Sequence, residues 1–112
     1  MKWHPREFHS IPELNEMAPE GISIQAARVP LGNTDVEGLN KLLMSVRDAG
    51  MLLSHIPTDI ILLGCTSASF VNGMAYEKQM IAAMEKLTNI KFTTTSTSVI
   101  NALQAMDIKK VA

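Results

Sequence analysis

The chain has one cysteine, three histidines and an aromatic fraction of only 4%, and these scarcities exclude several classes of protein. A single cysteine cannot form an internal disulfide, which suits a reducing, cytoplasmic compartment. His4, His9 and His55 are not spaced as metal ligands, either among themselves or with the cysteine, so we expect no metal site. A formal net charge of −1 provides no basic surface, so we expect no nucleic-acid partner.

Long apolar runs are also missing from the sequence. No stretch approaches the roughly 20 apolar residues that cross a bilayer, and the first ten residues, "MKWHPREFHS", lack the apolar core of a secretory signal. We therefore expect no membrane partner. What remains is a chain of 112 residues that is 46% apolar and 19% charged, which is an ordinary composition for a globular protein. This length suits one modest domain with a single core.

Turn residues and apolar runs predict an irregular N-terminal arm followed by several strands. Three prolines fall within residues 1–20, so we expect an arm with no more than one or two helical turns. Strands are predicted at 21–29, 59–64 and 90–95. The last five residues, 108–112, look like a strand that has scarcely begun. We therefore expect the lobe to be truncated at its C-terminus.

Apolar residues at helical spacing predict three helices between these strands. The first helix runs from about residue 34 to 55, with Asn33 or Thr34 as a suitable N-cap residue. The second helix begins near Gly73. The third has Ser96 or Thr97 as its N-cap. Alternating strands and helices predict an α/β fold over residues 21–112. We expect a mostly parallel sheet with helices on both faces.

Two hydroxyl-rich loops follow neighbouring strands of this predicted sheet. The stretch "GCTSASFVNG" begins at Gly64, and "TTTSTS" covers 93–98. Ligands of parallel sheets bind beyond the carboxyl ends of the strands, so we expect Cys65 and Ser96 at the same edge. Thr66 and Ser67 add donors suited to a carboxylate, and Ser96 belongs to a second predicted anion cradle.

Each loop also has a purely structural interpretation. A thiol just before a helix is favoured as thiolate by the helix dipole, yet free cysteines often pack as small hydrophobic residues. No histidine or aspartate lies within a few residues of Cys65 to activate it. Strand propensity and helix capping explain most hydroxyls of 93–98. On the residues alone, both interpretations stay open.

The two loops in this order, with "PELNEMAPEGISIQAARVPL" before them, resemble the maleate cis-trans isomerase and arylmalonate decarboxylase group of the aspartate/glutamate racemase superfamily. The resemblance covers roughly residues 12–112, the first of the family's two similar α/β lobes. It implies chemistry without cofactor or metal on a small carboxylate or dicarboxylate. It also implies an active site between two lobes, each providing one cysteine position.

The resemblance further implies roles for individual residues. Cys65 matches the cysteine position of the first lobe, which is taken as the nucleophile in the isomerases and as a proton-transfer group in the racemases. Thr66 and Ser67 match residues that hold a substrate carboxylate or an enediolate-like intermediate. The decarboxylases resemble these loops but carry glycine where Cys65 stands. Cys65 therefore favours an isomerase or a racemase.

Some features of the family pattern are missing from this sequence. Residues 4–10, "HPREFHS", contain neither the family's first strand nor its Pro-Ser-Ser-Asn-like loop. The tyrosine after the next strand, and the second lobe, would fall beyond Ala112. We therefore expect a homo-oligomer or a second lobe as partner. The competing functions are a maleate isomerase-type enzyme or an inactive fragment of one, a decarboxylase or racemase with the same cradle, and a non-catalytic α/β interaction module.

Overall fold

The computed structural model describes residues 6–111, with side chains from residue 11 onward. The described chain folds into helices and two short strands in the order α1 (Arg6–Met17), α2 (Val36–Leu53), β1 (Ile60–Leu63), α3 (Thr66–Phe70), α4 (Gly73–Thr88), β2 (Lys91–Thr94) and α5 (Thr95–Ala105). None of these helices is both long and apolar enough to cross a membrane.

The two strands form a parallel pair. Ile60 lies opposite Lys91, and the register continues to Leu63 opposite Thr94. Parallel neighbours need a long crossover connection, which α3 and α4 provide here. The predicted fold class, an α/β lobe with a parallel sheet, is confirmed.

The core lies between one face of the sheet and the helices. Alternation along β1 buries Ile61 and Leu63, whereas Ile60 and Leu62 on the opposite face remain 56% and 44% exposed. α2 contributes four residues at the i, i+3, i+4, i+7 spacing of a buried helical stripe. The buried apolar residues are Leu39, Leu42, Leu43, Val46, Ile61, Leu63, Ala68, Met84 and Phe92.

α2 begins with a side-chain cap and a tight backbone contact. Asp35, rather than the predicted Asn33 or Thr34, is the N-cap, and its Oδ1 accepts a hydrogen bond from the Gly38 N–H at 2.8 Å. A Cβ at Gly38 would lie 2.1 Å from the backbone oxygen of Asn33. The incoming chain therefore passes close against the first turn of α2, where only glycine leaves room.

We expect Gly38→Ala to lower the free energy of unfolding by about 1–2 kcal/mol. The overlap with a backbone oxygen costs about 1–3 kcal/mol, and the better helix propensity of alanine recovers about 0.5–1. Gly32→Ala is the matched control, because a Cβ there meets nothing within 4 Å. Urea unfolding followed by circular dichroism measures both variants. Equal stability of Gly38→Ala and the unsubstituted protein would contradict the tight contact.

Two of the predicted strands are wrong. Residues 22–33 have no regular structure, and Ile22 is 58% exposed. A strand is stabilised by pairing and by packing against cross-strand neighbours, so β-branched residues alone do not create one. Within the described residues β1 and β2 pair only with each other. The C-terminal residues 108–111 are likewise irregular and exposed, and Ala112 lies outside the described residues.

Two helices differ from the prediction. An irregular arm was expected over residues 1–20. The structure instead has the twelve-residue helix α1, with Pro12 inside it. Residues 1–5 of the expected arm lie outside the described part of the chain. Proline removes one helical hydrogen bond, but glutamate, leucine and methionine beyond it are good helix formers. In addition, the Asn15 side chain donates to the Ile11 carbonyl at 2.9 Å. α3 was not predicted, because five residues are too few for a visible apolar period.

Candidate active site at the carboxyl ends of the strands

The two hydroxyl-rich loops meet at one edge of the sheet, as predicted. β1 ends at Leu63 and β2 ends opposite it at Thr94, so the chain leaves both strands in the same direction. The Thr95 hydroxyl donates to the Leu63 carbonyl at 3.1 Å and ties the two strand ends together. Cys65 and Ser96 therefore belong to adjacent segments.

Cys65 lies between the apolar core and a polar surface. It is the N-cap residue of α3, in an extended conformation, and its side chain makes no capping hydrogen bond. The residue is partly buried and packs against the core cluster. Thr66 and Ser67 follow it and are exposed. Because N–H groups in a helical first turn have no intrahelical partner, the segment that follows Cys65 offers both hydroxyl and amide donors.

Ser69 and Ser96 join the two loops beneath this surface. They are 2% and 0% exposed, and their hydroxyls hydrogen-bond to each other. The Ser69 Oγ also lies 2.9 Å from the Thr66 carbonyl oxygen and 3.1 Å from that of Cys65. The Ser96 hydroxyl thus contacts protein atoms. Its predicted contact with substrate stays a prediction, and it would require this pair to open.

The other hydroxyls of the second loop also have protein partners. Thr94 is the N-cap of α5: its Oγ1 accepts from the Thr97 N–H at 3.1 Å and donates to the Glu77 carboxyl. The Thr97 hydroxyl donates to Glu77 Oε1 at 2.8 Å, and the Ser98 hydroxyl donates to the Thr94 carbonyl at 2.8 Å. The cap is therefore Thr94 and not the predicted Ser96 or Thr97. Helix capping, bonds to Glu77 and a bond to a backbone carbonyl therefore account for the hydroxyls of Thr94, Thr97 and Ser98 without a ligand.

Glu77 is the residue that the sequence interpretation missed. It is only 2% exposed although it lies on α4, where most charged side chains face solvent. The available signal was its spacing. Glu77 precedes Met80, Ile81 and Met84 by three, four and seven residues, so a carboxyl group occupies the buried stripe of an amphipathic helix.

No metal cluster accompanies Cys65 within the part of the chain that the structure describes. The described residues contain no group of three or more histidine, cysteine, aspartate or glutamate side chains positioned to hold an ion. One surface groove runs between α2 and α4, beside Leu43, Tyr76 and Met84, and another lies at the start of α2. Neither groove includes Cys65.

The sequence matches a known family along nearly its whole length. The family model described as arylmalonate decarboxylase matches residues 5–112. An arylmalonate decarboxylase from Bordetella bronchiseptica is 33% identical over 87 residues, which are 78% of this chain and 36% of the relative. The chain therefore spans about a third of the length of this relative.

Two solved structures have the same fold. The liganded form of an arylmalonate decarboxylase double mutant, in which a glycine became cysteine and a cysteine became serine, aligns with a TM-score of 0.67 and 34% identity. Unliganded arylmalonate decarboxylase aligns with a TM-score of 0.61 and 33% identity. Each alignment covers 70% of this chain and 34% of the other. The chain therefore belongs to the arylmalonate decarboxylase family of the Asp/Glu racemase-like superfamily.

Proposed function

We propose that this chain provides the reactive thiol and one carboxylate-binding surface of a cofactor-independent enzyme that isomerises a small cis-dicarboxylate such as maleate. The observation that carries the proposal is the position of Cys65. It lies just beyond the end of β1, is partly exposed, and is followed by the exposed residues Thr66 and Ser67. The resemblance gives decarboxylases a glycine at this position, which cannot act as a nucleophile.

The proposed reaction uses the thiolate of Cys65 as a nucleophile. After its proton passes to solvent, the sulfur adds to one alkene carbon, and the electron pair of the double bond moves into the adjacent carboxylate as an enediolate. The former double bond is now single and rotates. Collapse of the enediolate expels the thiolate and re-forms the double bond in the trans arrangement. Nothing is oxidised or reduced, so the cycle needs no cofactor.

The proposed role of Thr66 and Ser67 is to hold the carboxylate in which negative charge accumulates. Hydrogen-bond donors aimed at a developing oxyanion lower the barrier to its formation. These two residues follow Cys65 directly in the sequence and are exposed, whereas Ser69 and Ser96 are buried. We therefore assign direct substrate contact to the exposed pair first, and propose contact through Ser96 only on opening of its bond to Ser69.

Decarboxylation of an arylmalonate is the second candidate, and the family match favours it. In that reaction the bond between the α-carbon and one carboxylate breaks, that carboxylate leaves as CO2, and the electron pair of the bond is delocalised through the α-carbon into the remaining carboxylate as an enediolate. The S–H of Cys65 would then give its proton to that carbon. One structurally similar arylmalonate decarboxylase is itself a variant that gained a cysteine in place of a glycine.

We expect the purified protein to convert maleate into fumarate. Proton NMR distinguishes the two by their separate vinyl resonances, and phenylmalonate in a parallel sample tests decarboxylation by the appearance of phenylacetate. Heat-denatured protein is the control for uncatalysed reaction. Formation of phenylacetate without fumarate would mean that the protein is a decarboxylase and not an isomerase. Neither product above the control would contradict both candidates and favour a non-catalytic interaction module.

A further inference from the structure

Two carboxyl groups on α4 hold opposite ends of β2. Glu85 Oε1 accepts a hydrogen bond from the Phe92 N–H at 3.1 Å, near the start of the strand. Glu77 accepts from the hydroxyls of Thr94 and Thr97, where the strand ends and α5 begins. Glu85 is exposed, whereas Glu77 is 2% exposed. The buried carboxyl therefore lies at the end of the strand that leads into the candidate site.

Hydrogen bonds, together with the backbone of residues 94–97, connect Glu77 with the backbone of the Cys65 loop (residues 64–73). Thr94 and Thr97, the partners of Glu77, lie on either side of Ser96 in the first turn of α5. Ser96 bonds to Ser69, and the Ser69 Oγ approaches the carbonyl oxygens of Cys65 and Thr66. Among the described side chains, the buried polar ones are Ser69, Glu77, Thr94 and Ser96. All four belong to this path.

We propose that Glu77 is a positioning residue for the Cys65 loop, acting through the start of α5 and the Ser69–Ser96 pair. A five-residue helix has too few backbone hydrogen bonds to persist alone, so α3 depends on tertiary contacts. Ser69 provides one such contact, and its partner Ser96 is held in place by the bonds of its neighbours to Glu77. The role of this loop as an active site rests on the proposed function. The contacts from Glu77 to Ser69 do not depend on that function.

The test measures amide hydrogen exchange of α3 in the folded protein by NMR. The Ser69 N–H donates to the Cys65 carbonyl and the Val71 N–H to the Ser67 carbonyl, each at 3.1 Å, so both amides report on this helix. Glu77→Met keeps the side-chain length and removes the acceptor, whereas Glu77→Gln retains an acceptor oxygen. Glu85→Met is the matched control at the other end of β2. The Val46 amide in the core stripe of α2 reports on global unfolding.

We expect Glu77→Met to accelerate exchange of Ser69 and Val71 by at least about fivefold relative to Val46, because a buried hydrogen-bond acceptor is lost. Glu77→Gln should show a smaller change, and Glu85→Met should leave the α3 rates, relative to Val46, unchanged. If Glu77→Met does not fold, the α3 exchange rates of Glu77→Gln are compared with those of Glu85→Gln instead. Unchanged α3 exchange, or equal acceleration at Val46, would overturn the proposal.

A double-mutant cycle tests the route of the coupling. Because Glu77 is proposed to act through Ser69, Ser69→Ala should accelerate α3 exchange, and adding Glu77→Met should increase the rate little further. Multiplicative effects of the two substitutions would mean that Glu77 does not act through this pair. The measurement uses no substrate. Failure to isomerise maleate would therefore contradict the proposed function while leaving this result intact.

Discussion

Replacing Cys65 by serine should abolish fumarate formation, lowering turnover by at least about 10³-fold, as expected when the attacking group of a covalent mechanism is removed. A hydroxyl is nearly the size of a thiol but is far less nucleophilic near neutral pH. Cys65 makes no capping hydrogen bond, so we expect the substitution to leave the fold intact. Proton NMR with maleate gives the rate, and circular dichroism checks the fold. Turnover above a tenth of the original would contradict a nucleophilic role.

Alkylation provides a second measurement of the same residue. The chain has one cysteine, so iodoacetamide labelling reports on Cys65 alone. We expect maleate to slow labelling, because a carboxylate bound at Thr66 and Ser67 lies across the thiol. Acetate at equal ionic strength is the control anion, and the double variant Thr66→Val, Ser67→Ala should lose the protection. Slow labelling that maleate does not change would favour Cys65 as a packing residue.

Leu42→Ala should lower the free energy of unfolding by about 2–5 kcal/mol. Leu42 is 2% exposed within the buried stripe of α2, so truncation leaves a cavity against the sheet. Domains of this kind are stable by only about 5–15 kcal/mol in total, so one change removes a large fraction. Urea unfolding followed by circular dichroism measures the loss.

Met44→Ala is the matched control for this prediction. Met44 lies on the same helix two residues later and is 80% exposed. Surface substitutions of this kind usually change stability by less than about 0.5 kcal/mol. Similar losses for Leu42→Ala and Met44→Ala would contradict the assigned orientation of α2 and, with it, the position of the core.

The sequence predicted those elements whose pattern is local. A continuous apolar run predicted β1 within one residue of its bounds. Apolar residues at helical spacing predicted α2 within about two residues of its bounds, α4 from its first residue, and the N-cap of α5 two or three residues too late. The segment 21–29 was misassigned because its β-branched residues meet the local requirement for a strand. Whether a strand forms depends on a neighbour to pair with, and propensity contains no information about that neighbour.

The same limit applied to the candidate site. Parallel topology alone was enough to place Cys65 and Ser96 at one edge of the sheet. It could not tell which hydroxyls face outward, because that depends on packing between α3 and α5. Thr66 is exposed while Ser69, three residues later, is buried against Ser96. Glu77 precedes Thr94 and Thr97 by 17 and 20 residues, so its contacts with them appear only in three dimensions.

The crossover between the two strands imposes an order on synthesis. Ile60 pairs with Lys91, which the ribosome adds 31 residues later. At about 5–20 residues per second, β1 waits roughly 2–6 s for its partner, whereas helices form within about a microsecond. Throughout that interval β1 is an unpaired apolar strand of the kind that templates association between nascent chains. The lobe is therefore most vulnerable to aggregation while its first strand is already made and its second is not.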